Sequence, residues 1–579
     1  MKGSAKMLHF YDFEVFKEDW MVVFINPISK TEEVIVNDAE KLQGYMEKYK
    51  NEIFVGFNCR HYDQYILKGI LCGFNPKEIN DYIIAKGNPG WKFSSLFRKI
   101  NFINYDVMAG VDRGLKTFEG FMGNDIRESS VPFDIDRKLT SEEIEETIKY
   151  CRHDVEQTIE VFLQRKDDFD AHMDLVKLAC QDNELDLFLL SKTKVQLSSI
   201  ILDATKRSHD DEFDIDAPDT MQINKYTEVV DWYMNPGNRC YEKDGKKNQL
   251  EVMVAGVPHV FGWGGVHGAI DKYSGEGYFL NMDVASLYPS LMIEYDLGSR
   301  NMRNPKKYEE IYHTRLQYKA EKNPLQLPLK LVLNGTYGAM KDKNNQLYDP
   351  RQANRVCIYG QLLLLDLIEK LEPHCQIIQS NTDGVLIKMN RYEDFELIDD
   401  ICYEWEQRTR LVLEFEEFRK VFQKDVNNYI IVDPEGKYKS KGAYVKKLSN
   451  LDYDLPIVNK ALINYMVNDI PVEQTINECN DLKEFQQVSK IGSKYKHIIH
   501  GENILNEKCI RIFASKDEND EGVKKVSVRT GRPEKISNSP EKCFIYNDEV
   551  NGVKVPGKLD KQWYVNMANK RLKDFGVVI

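Results

Sequence analysis

Two stretches in the middle of the chain combine short apolar runs with an acidic residue. Gly277–Met282 is an apolar and aromatic run that predicts a buried strand, and Asp283 follows it directly. Cys375–Met389 has two apolar runs separated by a D-G pair, which predicts a β-hairpin with Asp383 at its tip. Each carboxylate by itself is more typical of a cap or a turn than of chemistry. Two of them at strand ends are a reasonable site for a hard cation.

Between these stretches, Lys330–Gly338 has the spacing of a helix. Lys330, Asn334 and Tyr337 fall at i, i+4 and i+7 and therefore share one face. The order along the chain is a carboxylate turn, a basic helix and a carboxylate hairpin. This order ties the three stretches to one predicted site.

A second basic helix is predicted just before the first. Glu309–Lys322 carries Arg315 and Lys319 on one face, and the two prolines of Asn323–Pro328 break the chain. An antiparallel helix pair would bring Lys319 and Lys330 to similar heights, since a helix rises about 1.5 Å per residue. Three cations on one patch would suit a triphosphate. The alternative is a solvated basic hairpin.

The N-terminal part shows a separate set of acidic residues. Leu8–Glu14 predicts a strand in which Asp12 and Glu14, two residues apart, lie on one side. Further along, Gly56–Asp63 ends in another carboxylate. Each of these features is common in purely structural settings.

A helix that begins near Thr140 supplies the remaining candidates of this set. Thr140 followed by Glu143 is a capping-box signature, and Tyr150 and Asp154 at i and i+4 face the same way. Four converging carboxylates would repel one another without cations, and they could hold two divalent ions for phosphodiester hydrolysis. The four are Asp12, Glu14, Asp63 and Asp154.

Composition limits the class of protein. With 579 residues, 42% hydrophobic and 30% charged, the chain is expected to form three to five soluble globular domains or subdomains. No apolar run reaches the length of a membrane span, and the N-terminus MKGSAKMLHF lacks a signal-peptide core. Eleven cysteines without a CxxC pair indicate reduced thiols and a cytoplasmic protein, the host cytoplasm if it is viral.

The net charge of −13 is unusual for a nucleic-acid binder, but the distribution of charge is uneven. Residues 311–349 hold six Lys or Arg against three Asp or Glu, and five lysines lie within residues 437–447. Basic channels in an acidic body are compatible with DNA binding, and unrelated surface lysines are the alternative.

The three central stretches resemble motifs A, B and C of family B (polymerase α-like) DNA polymerases, whose forms are DxxSLYPS, KxxxNSxYG and DTDS. In motif C, Asn381 stands in place of the first Asp and Gly384 in place of Ser. The resemblance implies a DNA-templated DNA polymerase of compact bacteriophage type. Two Mg²⁺ ions, with Mn²⁺ as a substitute, would be bound by Asp283, Asp383 and the carbonyl of Val284.

The same resemblance implies further roles. Tyr288, Arg315, Lys319, Lys330, Asn334 and Tyr337 would bind the incoming nucleotide. The DNA would be contacted by Gly264 and Gly265 of a YxGG-like segment, Gly338, Tyr429 of a KxY-like segment, and Lys441 and Gly442 of a KKG-like segment.

The N-terminal set resembles the Exo I (DxE), Exo II (NxxxYD) and Exo III (YxxxD) motifs of DEDDy 3′–5′ proofreading exonucleases, which have an RNase H-like fold. By this resemblance, Asp12, Glu14, Asp63 and Asp154 bind metal, Tyr150 orients the attacking water, and Asn58 and Tyr62 hold the single-stranded 3′ end. Lys116 lies in Leu115–Glu119, which matches an auxiliary lysine motif poorly, and we interpret it as a solvated surface lysine.

The predicted fold is α/β and α+β multidomain, with an RNase H-like exonuclease followed by a right-hand polymerase. The predicted domains are an exonuclease (1–190), a first palm part (191–300), fingers (301–345), a second palm part (346–455) and a thumb (456–579). Expected partners of the monomer are primer-template DNA, dNTPs and replisome proteins such as a helicase and a single-strand binding protein, with no membrane partner. The alternatives are an exonuclease with a degenerate polymerase scaffold, a primase-polymerase and a reverse transcriptase.

Overall fold

The computed structural model describes residues 7–181 and 183–578, and the chain divides into two compact units. Unit 1 contains the chain up to Thr193, Leu448–Pro456 and Cys479–Trp563, and unit 2 contains Lys194–Lys447, Ile457–Glu478 and the chain from Tyr564. Residues 1–6, on which the signal-peptide prediction partly rests, lie outside the described residues. In the described part, no helix combines the length and the apolar character needed to cross a membrane.

The first part of unit 1 is a mixed sheet with helices. Its order is β3-β2-β1-β4-β5, with β1 antiparallel to β2 and parallel to β4. The strands are β1 (Leu8–Val15), β2 (Trp20–Asn26), β3 (Thr31–Val36), β4 (Ile53–Gly56) and β5 (Ile103–Asp106). The helices are α1 (Ala39–Lys48), α2 (Asp63–Leu71), α3 (Pro76–Asn80), α4 (Leu115–Met122), α5 (Ser141–Gln164) and α6 (Lys166–Cys180).

Two sequence predictions for this part are confirmed. The strand predicted over Leu8–Glu14 is β1, the central strand of the sheet, and aromatic and aliphatic side chains bury it on both sides. Helix α5 begins after Thr140, whose hydroxyl accepts a hydrogen bond from the Glu143 amide at 3.2 Å. The Glu143 carboxylate in turn accepts one from the Thr140 amide at 2.8 Å, which completes the capping box.

Unit 2 is built on a nine-stranded sheet of order β16-β15-β14-β11-β13-β12-β10-β9-β8. Its strands and the small β6-β7 pair are β6 (Glu242–Lys243), β7 (Lys246–Lys247), β8 (Gln249–Val254), β9 (Val257–Gly262), β10 (His267–Ala269), β11 (Tyr273–Val284), β12 (Gln376–Asn381), β13 (Gly384–Met389), β14 (Leu413–Asp425), β15 (Asn428–Val432) and β16 (Tyr438–Lys441). Its helices up to residue 447 are α7 (Lys194–Ile201), α8 (Thr227–Met234), α9 (Leu287–Glu294), α10 (Lys306–Ala320), α11 (Gln326–Lys341), α12 (Pro350–Leu371) and α13 (Phe395–Thr409).

The predicted elements of unit 2 are present, with shifted ends. The hairpin of residues 375–389 is confirmed as β12 and β13, and its two-residue loop is Thr382-Asp383 because Gly384 already belongs to β13. The helix of motif B begins at Gln326, so Pro328 lies in the first turn of α11, where a missing amide hydrogen costs no helical hydrogen bond. The break between α10 and α11 is therefore narrower than predicted.

The last part of the chain belongs to both units. Helices α14 (Pro456–Asn468) and α15 (Val472–Glu478) come first, and α16 (Lys561–Asp574) comes last. Between them lie β17 (Gln487–Lys490), β18 (Tyr495–His500), β19 (Asn503–Leu505), β20 (Cys509–Ala514), β21 (Val523–Ser527), β22 (Pro533–Lys535) and β23 (Cys543–Ile545). These strands form sheets of order β17-β20-β23 and β19-β18-β21-β22 within unit 1. The segment 456–579 is thus divided between the units, and its role as a thumb remains a prediction.

Candidate active sites

A cavity of about 600 Å³ lies in unit 2 where β11 ends and β13 begins. Segments far apart in sequence meet around it. The lining residues are Asp283, Val284, Ser286, Leu287, Tyr288, Pro289, Arg315, Lys319, Lys330, Asn334, Tyr337, Thr382, Asp383 and Glu414. The cavity therefore contains every residue that the sequence predicted for catalysis and nucleotide binding in this half of the chain.

Strand pairing brings the two carboxylates together. Strands β11 and β13 are antiparallel neighbours with Asp283 opposite Gly384, the residue after Asp383. The amide of Val284 donates a hydrogen bond to the carbonyl oxygen of Asp383 at 2.7 Å. The backbone thus places both acidic side chains at the same edge of the sheet.

The carboxylate of Asp283 is held by two neighbours that the sequence did not indicate. The side-chain amide of Asn281 donates to Oδ2 of Asp283 at 2.8 Å. A Cβ atom at Gly384 would lie 1.9 Å from Oδ1 of Asp283, so only glycine leaves this oxygen in its place. Burial and, next in size, the charge of Asp383 raise the pKa of Asp283 to about 6.

These donors fit a divalent cation. Two carboxylates and the backbone of Val284 line one cavity, and hard cations prefer oxygen ligands of this kind. Burial and, second, the charge of Asp383 raise the pKa of Asp283 because both disfavour its ionised form, and a bound cation would offset that cost.

Three cations, Arg315, Lys319 and Lys330, also line the cavity. Arg315 is buried, donates to the hydroxyl of Ser286 at 3.0 Å, and has an Nε atom without a hydrogen-bond partner among the described residues. Lys319 forms an ion pair with Glu414 of β14 at 3.3 Å. An anionic ligand in this cavity would compete with Glu414 for the Lys319 ammonium group.

Two tyrosines form part of the wall. The rings of Tyr288 and Tyr337 are 4.3 Å apart and tilted by 40°. The Tyr337 hydroxyl contacts the buried thiol of Cys357, which fixes the ring from behind. Burial, followed by the neighbouring Cys357, raises the pKa of both hydroxyls, so both stay protonated at neutral pH.

Two of the DNA-binding segments predicted in unit 2 lie near the hairpin loop or near Asp283 and Asp383. A Cβ atom at Gly265 would lie 2.2 Å from the Thr382 hydroxyl oxygen, so the Gly264-Gly265 turn approaches the hairpin loop closely. Tyr429 pairs with Lys441 across β15 and β16, and Asp283 and Asp383 contribute to the raised pKa of Tyr429.

Two further predicted DNA contacts are glycines with different surroundings. Gly442 has a φ of +101° and lies against Asn428, a conformation that other residues rarely adopt. Gly338 on α11 faces open space, because no atom lies within 4 Å of the position of its missing Cβ.

A second acidic cluster lies in unit 1. Asp12 and Glu14 project from β1, Asp63 is the first residue of α2 and accepts a hydrogen bond from the Phe13 amide at 3.2 Å, and Asp154 lies on α5. Burial raises the pKa of all four carboxyl groups, that of Asp63 to about 7, and the neighbouring carboxylates raise the pKa of Asp12 and Glu14 further.

The cluster divides into two groups of metal-ligating atoms. The ligand atoms of Asp12, Glu14 and Cys151 lie within 4.8 Å of one another, and those of Asp154 group with Glu119 and His153. Among the described residues, Asp63 joins neither group. The donors are mostly carboxylate oxygens, which fit a divalent cation, although the sequence indicated neither Cys151 nor Glu119.

Lys116 is buried, and its interpretation as a solvated surface lysine is wrong. Its ammonium group contacts Asp154 and also Glu119, at 3.0 Å from the latter. Glu119 is fully buried. A buried carboxylate pair requires a counter-charge, and the i, i+3 spacing of Lys116 and Glu119 on α4 was the signal that could have revealed it.

The remaining predicted residues of this cluster lie at its edge. Asn58 has a φ of +60°, and its backbone amide donates a hydrogen bond to the carboxylate of Asp106 at 2.9 Å. The Tyr62 hydroxyl donates to the side chain of Asn80 at 2.8 Å, and Asp63, Glu14 and Asp12 contribute to its raised pKa after burial. Tyr150 has a raised pKa from burial and from the nearby Asp154, so its hydroxyl stays protonated.

Replacing Lys116 tests the buried ion pair. We expect Lys116→Gln to lower the free energy of unfolding of unit 1 by about 3–5 kcal/mol in EDTA, because Asp154 and Glu119 would remain buried without a counter-charge. Urea unfolding followed by tryptophan fluorescence measures this. The control is Lys149→Gln, an exposed position on α5. Equal midpoints for the two variants would contradict the assignment.

Comparisons with known proteins give a partial similarity to DNA polymerases. No protein-family model matches the chain. It is 24% identical over 303 residues to DNA polymerase 1 of Saccharolobus solfataricus, covering 44% of this chain and 33% of that protein. It is 25% identical over 195 residues to DNA polymerase 1 of Sulfurisphaera ohwakuensis, covering 33% of this chain and 21% of that protein.

A solved family B DNA polymerase, from Pyrobaculum calidifontis, aligns with 100% of this chain and 78% of its own, with a TM-score of 0.42 and 13% identity. The chain thus matches no more than about a third of the length of either curated relative. Both of those relatives are DNA polymerases, and similarity in sequence to them is what the comparisons establish.

Proposed function

We propose that this chain is a family B, DNA-templated DNA polymerase with a 3′–5′ proofreading exonuclease, of the type used in bacteriophage replication. The observation that supports it best is the cavity in unit 2. The carboxylates of Asp283, Asp383 and Glu414 and three cations from two helices line one space large enough for a nucleotide. Similarity to two archaeal DNA polymerases supports the same activity.

In the proposed reaction, the primer 3′-hydroxyl loses its proton to solvent water, and its oxygen forms a bond to the α-phosphorus of a dNTP. The bond from that phosphorus to the bridging oxygen breaks, and pyrophosphate leaves with the electron pair. Positioning and charge neutralisation supply most of the rate enhancement in phosphoryl transfer. Arg315, Lys319 and Lys330 would neutralise the triphosphate, with Arg315 held in place by Ser286.

The carboxylates and Val284 would hold two Mg²⁺ ions. When bound there or in unit 1, magnesium supplies charge neutralisation and lowers the pKa of the attacking hydroxyl or water. The chain's own contribution is to hold Asp283, which is partly buried, in one orientation through Asn281 and Gly384.

The other lining residues would select the substrate and hold the DNA. The Tyr288 ring, supported by Tyr337, would lie beneath the sugar and exclude a 2′-hydroxyl, while Asn334 and Tyr337 face the nascent base pair. Gly264, Gly265 and Gly338 would let the template backbone approach, and Tyr429, Lys441 and Gly442 would hold the primer by its phosphates.

In unit 1, the proposed exonuclease site would hydrolyse the phosphodiester at a single-stranded 3′ end. Asp12, Glu14, Asp63 and Asp154 would hold the cations. The protonated Tyr150 hydroxyl would donate a hydrogen bond that orients the attacking water. Asn58 and Tyr62 would contact the terminal nucleotide. Lys116 would keep Asp154 charged and positioned.

We expect the protein to act as a monomer in the cytoplasm, with a helicase and a single-strand binding protein as replisome partners. The second candidate is an exonuclease whose unit 2 only binds DNA. Its support is Asn381, an amide where the motif has a carboxylate.

Reciprocal substitutions test the two sites. We expect Asp383→Asn to abolish primer extension while single strands are still degraded, because only the unit 2 cavity loses a ligand. Asp12→Ala with Asp63→Ala should do the reverse. Denaturing gels of a labelled primer-template, with and without dNTPs, measure both activities. Asp399→Asn, an exposed carboxylate on α13, is the control. Absence of extension by the wild type would leave the second candidate.

Adding one methyl group at Gly384 tests the position of Asp283. We expect Gly384→Ala to fold normally but to lower kcat for extension about 100-fold, because the new Cβ displaces the carboxylate by about an ångström. Single-turnover extension measures kcat. Gly557→Ala is the matched control, since no atom lies within 4 Å of the position of its Cβ. An unchanged kcat in Gly384→Ala would show that the carboxylate is not needed where it lies.

Removing the Tyr288 ring tests sugar selection. We expect Tyr288→Ala to reduce discrimination against ribonucleotides about 10- to 200-fold, the range that one pocket contact contributes. Competition between dNTPs and rNTPs in primer extension measures this. Tyr288→Phe retains the ring and should retain the discrimination; a loss as large as in Tyr288→Ala would assign the effect to the hydroxyl instead.

A further inference from the structure

A second cavity, of about 650 Å³, lies within unit 1 beside the start of α4. One wall is the segment from Asp112 to Gly114, which precedes the helix. The other walls come from the β17–β18 turn and from β21. None of the predicted sites includes it.

The side chains around this cavity are strongly basic. Arg113, Lys490, Lys494 and Lys525 line it, against the single carboxylate of Asp112. Among the described residues, none of these four side chains forms an ion pair, because no carboxylate oxygen lies within 4.0 Å of its cationic nitrogen atoms. The whole chain has a net charge of −13, so this local excess of positive charge is not a property of the average surface.

Two of the cations, Lys494 and Lys525, lie beside one aromatic ring. The Lys525 ammonium lies 4.3 Å from the centroid of the Tyr495 ring, and that of Lys494 lies 5.4 Å from it. The Tyr495 hydroxyl donates to Glu534 at 2.9 Å, which fixes the ring. An aromatic ring bordered by cations is the combination that single-stranded nucleic acid uses, with phosphates on the cations and bases on the ring.

Lys490 places a positive charge beside a helix N-terminus, where the backbone amides already carry partial positive charge. Its Nζ atom lies 2.7 Å from the position that a Cβ of Gly114 would occupy, at the N-terminus of α4. An ammonium group beside a helix N-terminus is unfavourable unless an anion or water screens it. The close approach is available only because residue 114 has no side chain.

The cavity adjoins the acidic cluster of unit 1 through α4. Thr117 lines the cavity, and the preceding residue, Lys116, contacts Asp154. The thiol of Cys509, on β20, donates a hydrogen bond to the carbonyl oxygen of Lys116 at 3.5 Å and connects β20 to the first turn of α4. A strand whose 3′ end reached Asp154 would pass this helix turn.

We propose that this cavity binds the phosphodiester backbone of a single DNA strand, upstream of the 3′ end that the exonuclease site receives. The proposal rests on the proposed exonuclease function for its direction, but the binding itself does not depend on hydrolysis. The chemistry recognised is a row of phosphate groups, for which an oligonucleotide, a nucleoside triphosphate and inorganic phosphate are separate sources.

The test compares two triple variants of the full chain. Lys490→Gln with Lys494→Gln and Lys525→Gln removes the cavity lysines. The control, Lys516→Gln with Lys524→Gln and Lys542→Gln, removes three exposed lysines of the segment Cys479–Trp563 that do not line the cavity. Lys524 is the neighbour of Lys525 on β21 and points to the opposite face of that strand. Fluorescence anisotropy with a labelled oligo-dT of about 12 nucleotides in EDTA measures binding without hydrolysis.

We expect the cavity variant to bind the oligonucleotide about 10- to 100-fold more weakly at 0.1 M salt, and its slope of log K against log salt to fall by about 2, because each phosphate contact on a single strand contributes about 0.7. The control variant should lose less than a third of that slope. Equal loss in both variants, or a loss only for duplex DNA, would overturn the proposal.

Competition separates the sources of phosphate. A 12-mer should displace the labelled strand at a far lower phosphate concentration than dTTP or inorganic phosphate, whereas equal potency per phosphate would overturn the assignment to a strand. With Mg²⁺, the cavity variant should raise KM for single-strand digestion and leave kcat unchanged. If neither wild type nor variant digests DNA but the binding difference persists, the exonuclease function fails and the binding site stands.

Discussion

The antiparallel pairing of β11 with β13 is the constraint on which the candidate polymerase site depends. It sets Asp283 opposite Gly384 and joins Val284 to Asp383 by a backbone hydrogen bond of 2.7 Å. The pairing register of a strand cannot shift gradually, because a slip of one residue turns every side chain of the strand to the other face of the sheet. The helices that carry Arg315 and Lys330 contribute to this site only because the two carboxylates already lie at one edge of the sheet.

Both units bring carboxylates together and compensate for the repulsion in different ways. In unit 1, Lys116 is buried between Asp154 and Glu119 and acts as an internal counter-ion. In unit 2, Asp283 instead accepts a hydrogen bond from the neutral side-chain amide of Asn281. Burial and the charge of Asp383 raise the pKa of Asp283 to about 6. In the first arrangement, the chain itself supplies part of the counter-charge. In the second, neither Asp283 nor Asp383 forms an ion pair among the described residues, which leaves both carboxylates available to a bound cation.

Local patterns predicted much of this structure. The central strand β1, the hairpin tipped by Asp383, the capping box at Thr140 and the helix of Lys330 follow from periodicity, turn chemistry and capping, which act over a few residues. Contacts between distant segments were not predictable in the same way. Nothing near Lys116 in sequence indicates that it meets Asp154, 38 residues away. The division of residues 456–579 between two units depends on tertiary packing, which periodicity does not report.

The departures from motif C are best understood through Asp283 rather than through the hairpin alone. Serine at position 384 would place a Cβ on Oδ1 of Asp283, so glycine there and the present orientation of Asp283 require each other. That orientation is also the one in which Asn281 can donate to Oδ2. Because Asn381 is neutral, one negative charge fewer repels Asp283 and Asp383. The side-chain amide of Asn281, rather than an additional cation ligand, then holds the Asp283 carboxylate. The departures at Asn381 and Gly384 thus belong to one local arrangement, in which the chain relies on two carboxylates and fixes one of them by hydrogen bonding and by the absence of a side chain.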